Sequence, residues 1–114
     1  MRCIAMSGLA LALAGAAAQA ADKPTRFWNL TRYTVSELYF APVGTTDWGP
    51  NQCRGDDDGT VDHDERLRLT NLKAGRYDVK LKDVSGRICV VRDIDVVTGK
   101  VVTVEEKQLT ACDR

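Results

Sequence analysis

The stretch GRYDVKLKDVSGRICVVRDIDV, residues 75–96, alternates apolar and polar side chains on both sides of a Ser85-Gly86 pair. In an extended strand successive side chains point to opposite faces. Tyr77, Val79 and Leu81 therefore share an inward face, and Asp78, Lys80 and Lys82 an outward one. Ser-Gly suits a two-residue hairpin turn, so the pattern predicts strands over 76–84 and 88–96.

The same period extends outward. Arg66-Leu67-Arg68-Leu69-Thr70 alternates, and residues 71–75 carry a turn composition. Thr98-Gly99 turns the chain again, residues 100–107 alternate once more, and 109–112 close it. Upstream, residues 27–30 read as a first strand and Thr31-Arg32 as a turn. Residues 33–41 read as a second strand, with Val35, Glu37 and Tyr39 on one face and Ser36, Leu38 and Phe40 on the other. Pro42 ends it. No stretch after residue 20 carries a helical period. Short strands with turn signals every roughly 8–12 residues predict an all-β fold, a small antiparallel β-sandwich of six to seven strands.

Residues 1–20 stand apart. Arg2 precedes an almost unbroken apolar run from Ile4 to Ala18, and Ala18-Gln19-Ala20 has the small-x-small form of a cleavage site. This predicts a cleaved signal peptide over 1–20 and a single secreted, periplasmic domain over 21–114, with no membrane association after cleavage. Residues 21–114 hold 15 Lys and Arg against 16 Asp and Glu, a net charge of −1, which disfavours nucleic acid as a partner. The charge is uneven: residues 54–65 carry six acids against Arg54, net −5, and the rest of 21–114 nets +4.

The cysteines after the signal are Cys53, Cys89 and Cys112, which in an oxidising compartment favours one disulfide and one leftover thiol. A hairpin through residues 97–100 would set Cys89 opposite Gln108. A Cys89–Cys112 bridge then requires the tail to fold back, leaving Cys53 as the free thiol. Cys53–Cys112 and Cys53–Cys89 pairings stay open on sequence grounds. A leftover thiol is either buried or a route to a covalent dimer, and the expected state is a monomer or weak dimer.

Several short motifs carry a resemblance: Leu38-Tyr39-Phe40-Ala41-Pro42, the Trp48-Gly49 pair, Gly75-Arg76-Tyr77-Asp78-Val79, Asp83 to Cys89, and Leu109-Thr110-Ala111-Cys112. In these the chain resembles a family of small secreted proteobacterial proteins of unknown function, often labelled only as signal-sequence or Tat-pathway signal proteins. The resemblance implies an N-terminal hairpin, a β-sandwich and a secreted address, and it brings no catalytic residues. The acidic segment at 56–65 departs from the family pattern.

That segment lies in a long connection, residues 42–65, broken by Pro42, Gly44, Gly49, Pro50, Gly55 and Gly59. Long loops in small domains are usually functional or mobile. With Gly59 at the sharp-turn position of a calcium loop, Asp56 and Asp58 take the third and fifth positions, and Thr60 the carbonyl position. Asp62 falls at the ninth and Glu65 at the bidentate twelfth. The first position is Arg54, and no helices flank the loop, so it is not an EF-hand. The expected function is non-enzymatic: weak binding of a hard cation, Ca²⁺ or a lanthanide, by Asp56, Asp58, Asp62, Glu65 and Thr60, with Ca²⁺ affinity of roughly 10⁻⁴–10⁻³ M. The alternative is a protein-interaction module whose acidic loop contacts a basic periplasmic partner without metal. His63, flanked by Asp62 and Asp64, completes neither a zinc pattern nor a Ser-His-Asp set.

Overall fold

The computed structural model describes residues 23–114. The predicted signal segment, residues 1–20, lies outside them. Seven strands form the described chain: β1 (Arg26–Leu30), β2 (Val35–Pro42), β3 (Arg66–Arg68), β4 (Gly75–Asp83), β5 (Ile88–Val96), β6 (Val101–Glu105) and β7 (Cys112–Asp113). They make two sheets, β3-β1-β6 and β2-β4-β5-β7, packed as a sandwich. Phe27, Leu67, Val102 and Val104 from the first sheet and Leu38, Phe40, Val79, Leu81 and Val91 from the second fill the space between them. Their alternation with outward neighbours follows the sequence pattern, except at Asp78, predicted to face out, which is buried where a bulge between Tyr77 and Val79 shifts the register.

The β4–β5 hairpin is antiparallel as expected, with Lys82 opposite Ile88 and Leu81 opposite Cys89. Its turn has three residues, Val84–Gly86, not two. Gly86 donates to the Asp83 carbonyl at 3.0 Å and sits at φ +93°. The third residue must enter the left-handed region, where glycine is unhindered.

Three other expectations are corrected. A bulge between Val35 and Glu37 reverses the alternation in β2. Val35 is therefore buried with Leu38 and Phe40, and Glu37 and Tyr39 face out half-exposed. The turn at 97–100 does not make a hairpin: β6 leaves β5 and joins the other sheet, where it pairs β1 in parallel. Parallel neighbours need a long crossover, and the whole of β2 to β5 supplies it. Finally, β1 and β2 lie in different sheets, so residues 31–34 form a corner in place of an N-terminal hairpin.

The tail folds back so that β7 pairs β5, with Cys112 opposite Cys89. These two cysteines form the disulfide. Cys53 is the free thiol and is fully buried.

The long connection is anchored to the open edge of β2. Gly49 donates to the Phe40 carbonyl at 2.9 Å, Leu38 donates to the Asn51 side chain at 3.0 Å, and Val61 and Val35 exchange bonds at 2.8 and 2.9 Å. An uncovered edge strand is a template for foreign pairing; here the loop occupies it. At its start the loop is held by Asp78, buried beneath it, whose carboxylate accepts from Gly44 at 3.1 Å and from Arg92 at 3.0 Å.

Candidate functional site: the acidic loop and the arginine face beside it

The loop enters the acidic segment through a 3₁₀ turn, Gln52–Gly55, capped by the Asn51 side chain on the Cys53 N–H. Gln52 is buried and exchanges bonds with the backbone of Thr70, from 3.0 to 3.1 Å. Burial, reinforced by Asp56 and then Glu37, pushes the Cys53 thiol up to about 11. A thiol so held is protonated at neutral pH and is no nucleophile.

Asp56 closes the turn. Its carboxylate accepts the Asp58 N–H at 3.2 Å, and its carbonyl accepts the Gly59 N–H at 3.2 Å. Gly59, at φ +72°, reverses the chain. Asp57 and Asp58 are exposed at this tip, and Thr60 is half-buried behind it.

Val61 then plunges into the core, and a second acidic turn follows it. The Asp62 N–H donates to the Glu65 carboxylate at 3.0 Å, and the Glu65 N–H returns to the Asp62 carbonyl at 3.0 Å. Thr34 donates its hydroxyl to Asp62 at 3.0 Å. Asp64 lies at φ +68° and accepts the Trp28 indole N–H at 3.0 Å. His63 Nδ1 stands 2.7 Å from the Thr31 carbonyl. A carbonyl only accepts, so Nδ1 carries the proton.

Asn29 organises this turn from below. Fully buried, it donates to the carbonyls of Val61 at 2.8 Å and Tyr33 at 3.1 Å, and it accepts from the Thr31 hydroxyl at 2.6 Å.

Of the residues the sequence singled out, Asp56 meets Asp58 and Asp62 meets Glu65, each pair through backbone N–H groups. The two pairs stand in separate turns with buried Val61 between them. Among the described residues, no three His, Cys, Asp or Glu side chains gather closely enough to hold a metal ion.

Beside the second acidic turn lies the outer face of the three-stranded sheet, which sequence reading did not assemble. The register sets Arg68, Arg26 and Val101 in one row and Arg66, Trp28 and Thr103 in the next. The Arg66 guanidinium stacks 4.0 Å over the Trp28 ring. The five ion pairs among the described residues all use other cations, so Arg26, Arg66 and Arg68 face no carboxylate there. Alternation in 26–28 and 66–68 was a signal for shared faces, but it does not reveal which strands pair.

The outer face of the four-stranded sheet is differently built. Lys80 lies between the rings of Trp48 and Tyr39, at 4.7 and 5.1 Å, and the Tyr39 hydroxyl donates to Glu37 at 2.6 Å. An open hollow of about 140 Å³ is lined there by Glu37, Tyr39, Lys82 and Ile88. Trp48 thus pins the loop to the sheet through a lysine.

Comparison with protein-family models, with curated proteins and with solved structures gave no match.

Proposed function

We propose that this chain is a secreted, periplasmic, non-enzymatic interaction module whose acidic loop contacts a basic protein partner without a metal ion. The observation that carries this reading is the anchoring of the loop. Val61 is bonded to β2, Asp62 and His63 to the β1–β2 corner, and Asp64 and Glu65 to β1. The exposed carboxylate of Asp62 therefore stands on a ledge ordered before any partner arrives, and the tip that carries Asp57 and Asp58 is closed on itself by bonds to Asp56. Ordering a loop on binding costs affinity, and a preformed one avoids that cost. A net −5 within twelve residues also steers a cationic partner toward the ledge.

The periplasmic address rests on the predicted signal peptide, and the Cys89–Cys112 bridge is compatible with it. The family resemblance adds the same address and no chemistry. Cation binding by Asp56, Asp58, Asp62 and Glu65 is the competing use of the same oxygens, and it requires the two acidic turns to close on each other.

The test is capture of partners from periplasmic extract by the tagged protein, with and without chelator. The comparison is a variant carrying Asp57→Asn, Asp58→Asn and Asp62→Asn. A partner lost in the variant and indifferent to chelator supports the reading. Capture that needs a divalent ion, with saturable terbium emission sensitised through Trp28, would replace it with the cation reading.

A further inference from the structure

We propose that the outer face of the three-stranded sheet is a docking surface, and that its occupant is the acidic tip, Asp56–Gly59, of a second copy of this chain. The inference rests on the reading above that the acidic loop meets a basic partner, and it names that partner.

The face carries an unrelieved repulsion. Arg26 stands directly opposite Arg68 across the antiparallel β1–β3 pair, with Arg66 in the next row. Like charges in direct cross-strand register are destabilising. Among the described residues no carboxylate pairs with any of the three. An anion held between the guanidinium groups turns this repulsion into attraction.

The chemistry suits a carboxylate. Stacking on Trp28 fixes the plane of the Arg66 guanidinium and leaves its edge free. A guanidinium edge takes a carboxylate through two parallel hydrogen bonds. Val101, 46 % exposed, and half-buried Trp28 and Leu30 give the same face an apolar floor.

The occupant follows from charge. Residues 54–65 net −5, and the rest of the mature chain nets +4. The chain is thus its own electrostatic complement. A long polyanion is disfavoured on this face, because Asp64 borders it at Trp28 and Glu105 stands in the row of Leu30. Those acids leave room for a short acidic turn and repel an extended phosphate backbone or an anionic membrane. With each copy giving its tip to the other's face, the contact is two-fold and closes as a dimer. Exposed ion pairs are individually weak, and they are screened beyond a Debye length of about 8 Å at physiological salt. The dimer is therefore weak and salt-sensitive.

The test is sedimentation equilibrium of the exported protein in chelator, at about 20 and about 300 mM salt. The expected result is a dimer at low salt whose dissociation constant rises by at least about tenfold at high salt. Arg26→Glu with Arg68→Glu, and separately Asp57→Lys with Asp58→Lys, each give a monomer. Mixing the two variants restores a heterodimer. Arg26→Gln with Arg68→Gln gives the same loss should the charge reversal fail to fold. A wild-type protein monomeric at low salt, or variants that fail to complement, overturns the inference. If loop-dependent capture of a basic partner persists in that case, only the inference falls. If wild-type dimerisation is intact but survives Asp57→Lys with Asp58→Lys, the loop is not the occupant and the inference falls.

Discussion

The Asn29 carbonyl accepts the backbone N–H of Asp64 at 2.6 Å. The Asn29 N–H in turn donates to the Glu65 carbonyl at 3.0 Å. The acidic segment therefore ends as a continuation of the β1–β3 pairing. The loop's second turn is as much part of the sheet as β3 is, and its carboxylates inherit that order.

Replacing Asn29 removes the hub of this arrangement. Asn29→Ala strands the buried N–H of Thr31, and it leaves the Val61 carbonyl and the Thr31 hydroxyl with one bond each in place of two. Each unsatisfied buried group costs about 1–3 kcal/mol. The expected outcome is a loss of about 3 kcal/mol in urea unfolding, with faster hydrogen exchange at Val61 and Asp64. Unchanged exchange there would show that the loop holds itself.

Removing the disulfide should destabilise the fold without touching the charged surfaces. Cys89→Ser with Cys112→Ser opens a 23-residue separation. The expected loss is about 3 kcal/mol in a chain-entropy account. Self-association, scaled for the folded fraction, should be unaltered, which sedimentation at low temperature checks.

The Cys53 thiol should resist labelling. Burial holds its pKa at about 11, far above neutrality, so the reactive thiolate is scarce and also inaccessible. Ellman's reagent is expected to find no thiol in the native protein and one per chain in denaturant. Rapid native labelling would contradict the buried placement.

Acid should weaken the packing of the two sheets at one corner. Arg87 donates to buried Asp83 at 2.9 Å and to Glu106 at 2.7 Å, joining the β4–β5 turn to the chain after β6. Burial works to raise the Asp83 pKa, but bonds from Ser85 and Arg87 outweigh it and hold the carboxyl below its usual value. The Arg87 bond lowers Glu106 against its own desolvation. Both folded values lie below the unfolded ones, so this stability is present above about pH 4 and is lost as pH falls through the folded values. Urea midpoints should therefore drop below about pH 4, and Glu106→Gln should flatten that drop. An equal drop in the variant would place the acid sensitivity elsewhere.

The parts of this fold that were legible in the sequence are those written in local alternation. Val79 and Leu81 against Lys80 and Lys82 gave the faces of β4, and the sandwich followed; Asp78, outward by the same alternation, is buried because a bulge between Tyr77 and Val79 shifts the register there. The bulge at Val35 was hidden because it answers to Asp83 and Lys82 on another strand. The β1–β6 pairing was hidden because alternation in residues 101–105 says which side is buried, not which neighbour lies beside it. Cys89–Cys112 was one of three open pairings until β7 brought the two into register. The acidic segment matched a calcium loop in spacing around Gly59, and Gly59 does reverse the chain. Yet Thr34 and Trp28 bond Asp62 and Asp64, and the Asp62 backbone takes the Glu65 carboxylate. Those demands come from distant segments as well as near ones. The arginine face was invisible for the same reason, being an assembly of three strands far apart in the chain.

The central claim is that a pre-ordered acidic ledge recognises basic groups of protein and does so without metal. Backbone amide NMR of the exported protein, titrated with a hexalysine peptide in chelator and separately with Ca²⁺, tests it most directly. The expected result is saturable, salt-sensitive peptide shifts confined to residues 56–65, absent from the variant carrying Asp57→Asn, Asp58→Asn and Asp62→Asn, with only small linear shifts from Ca²⁺. Saturable Ca²⁺ shifts at Asp56, Asp58, Asp62 and Glu65 together, with none from the peptide, would contradict it.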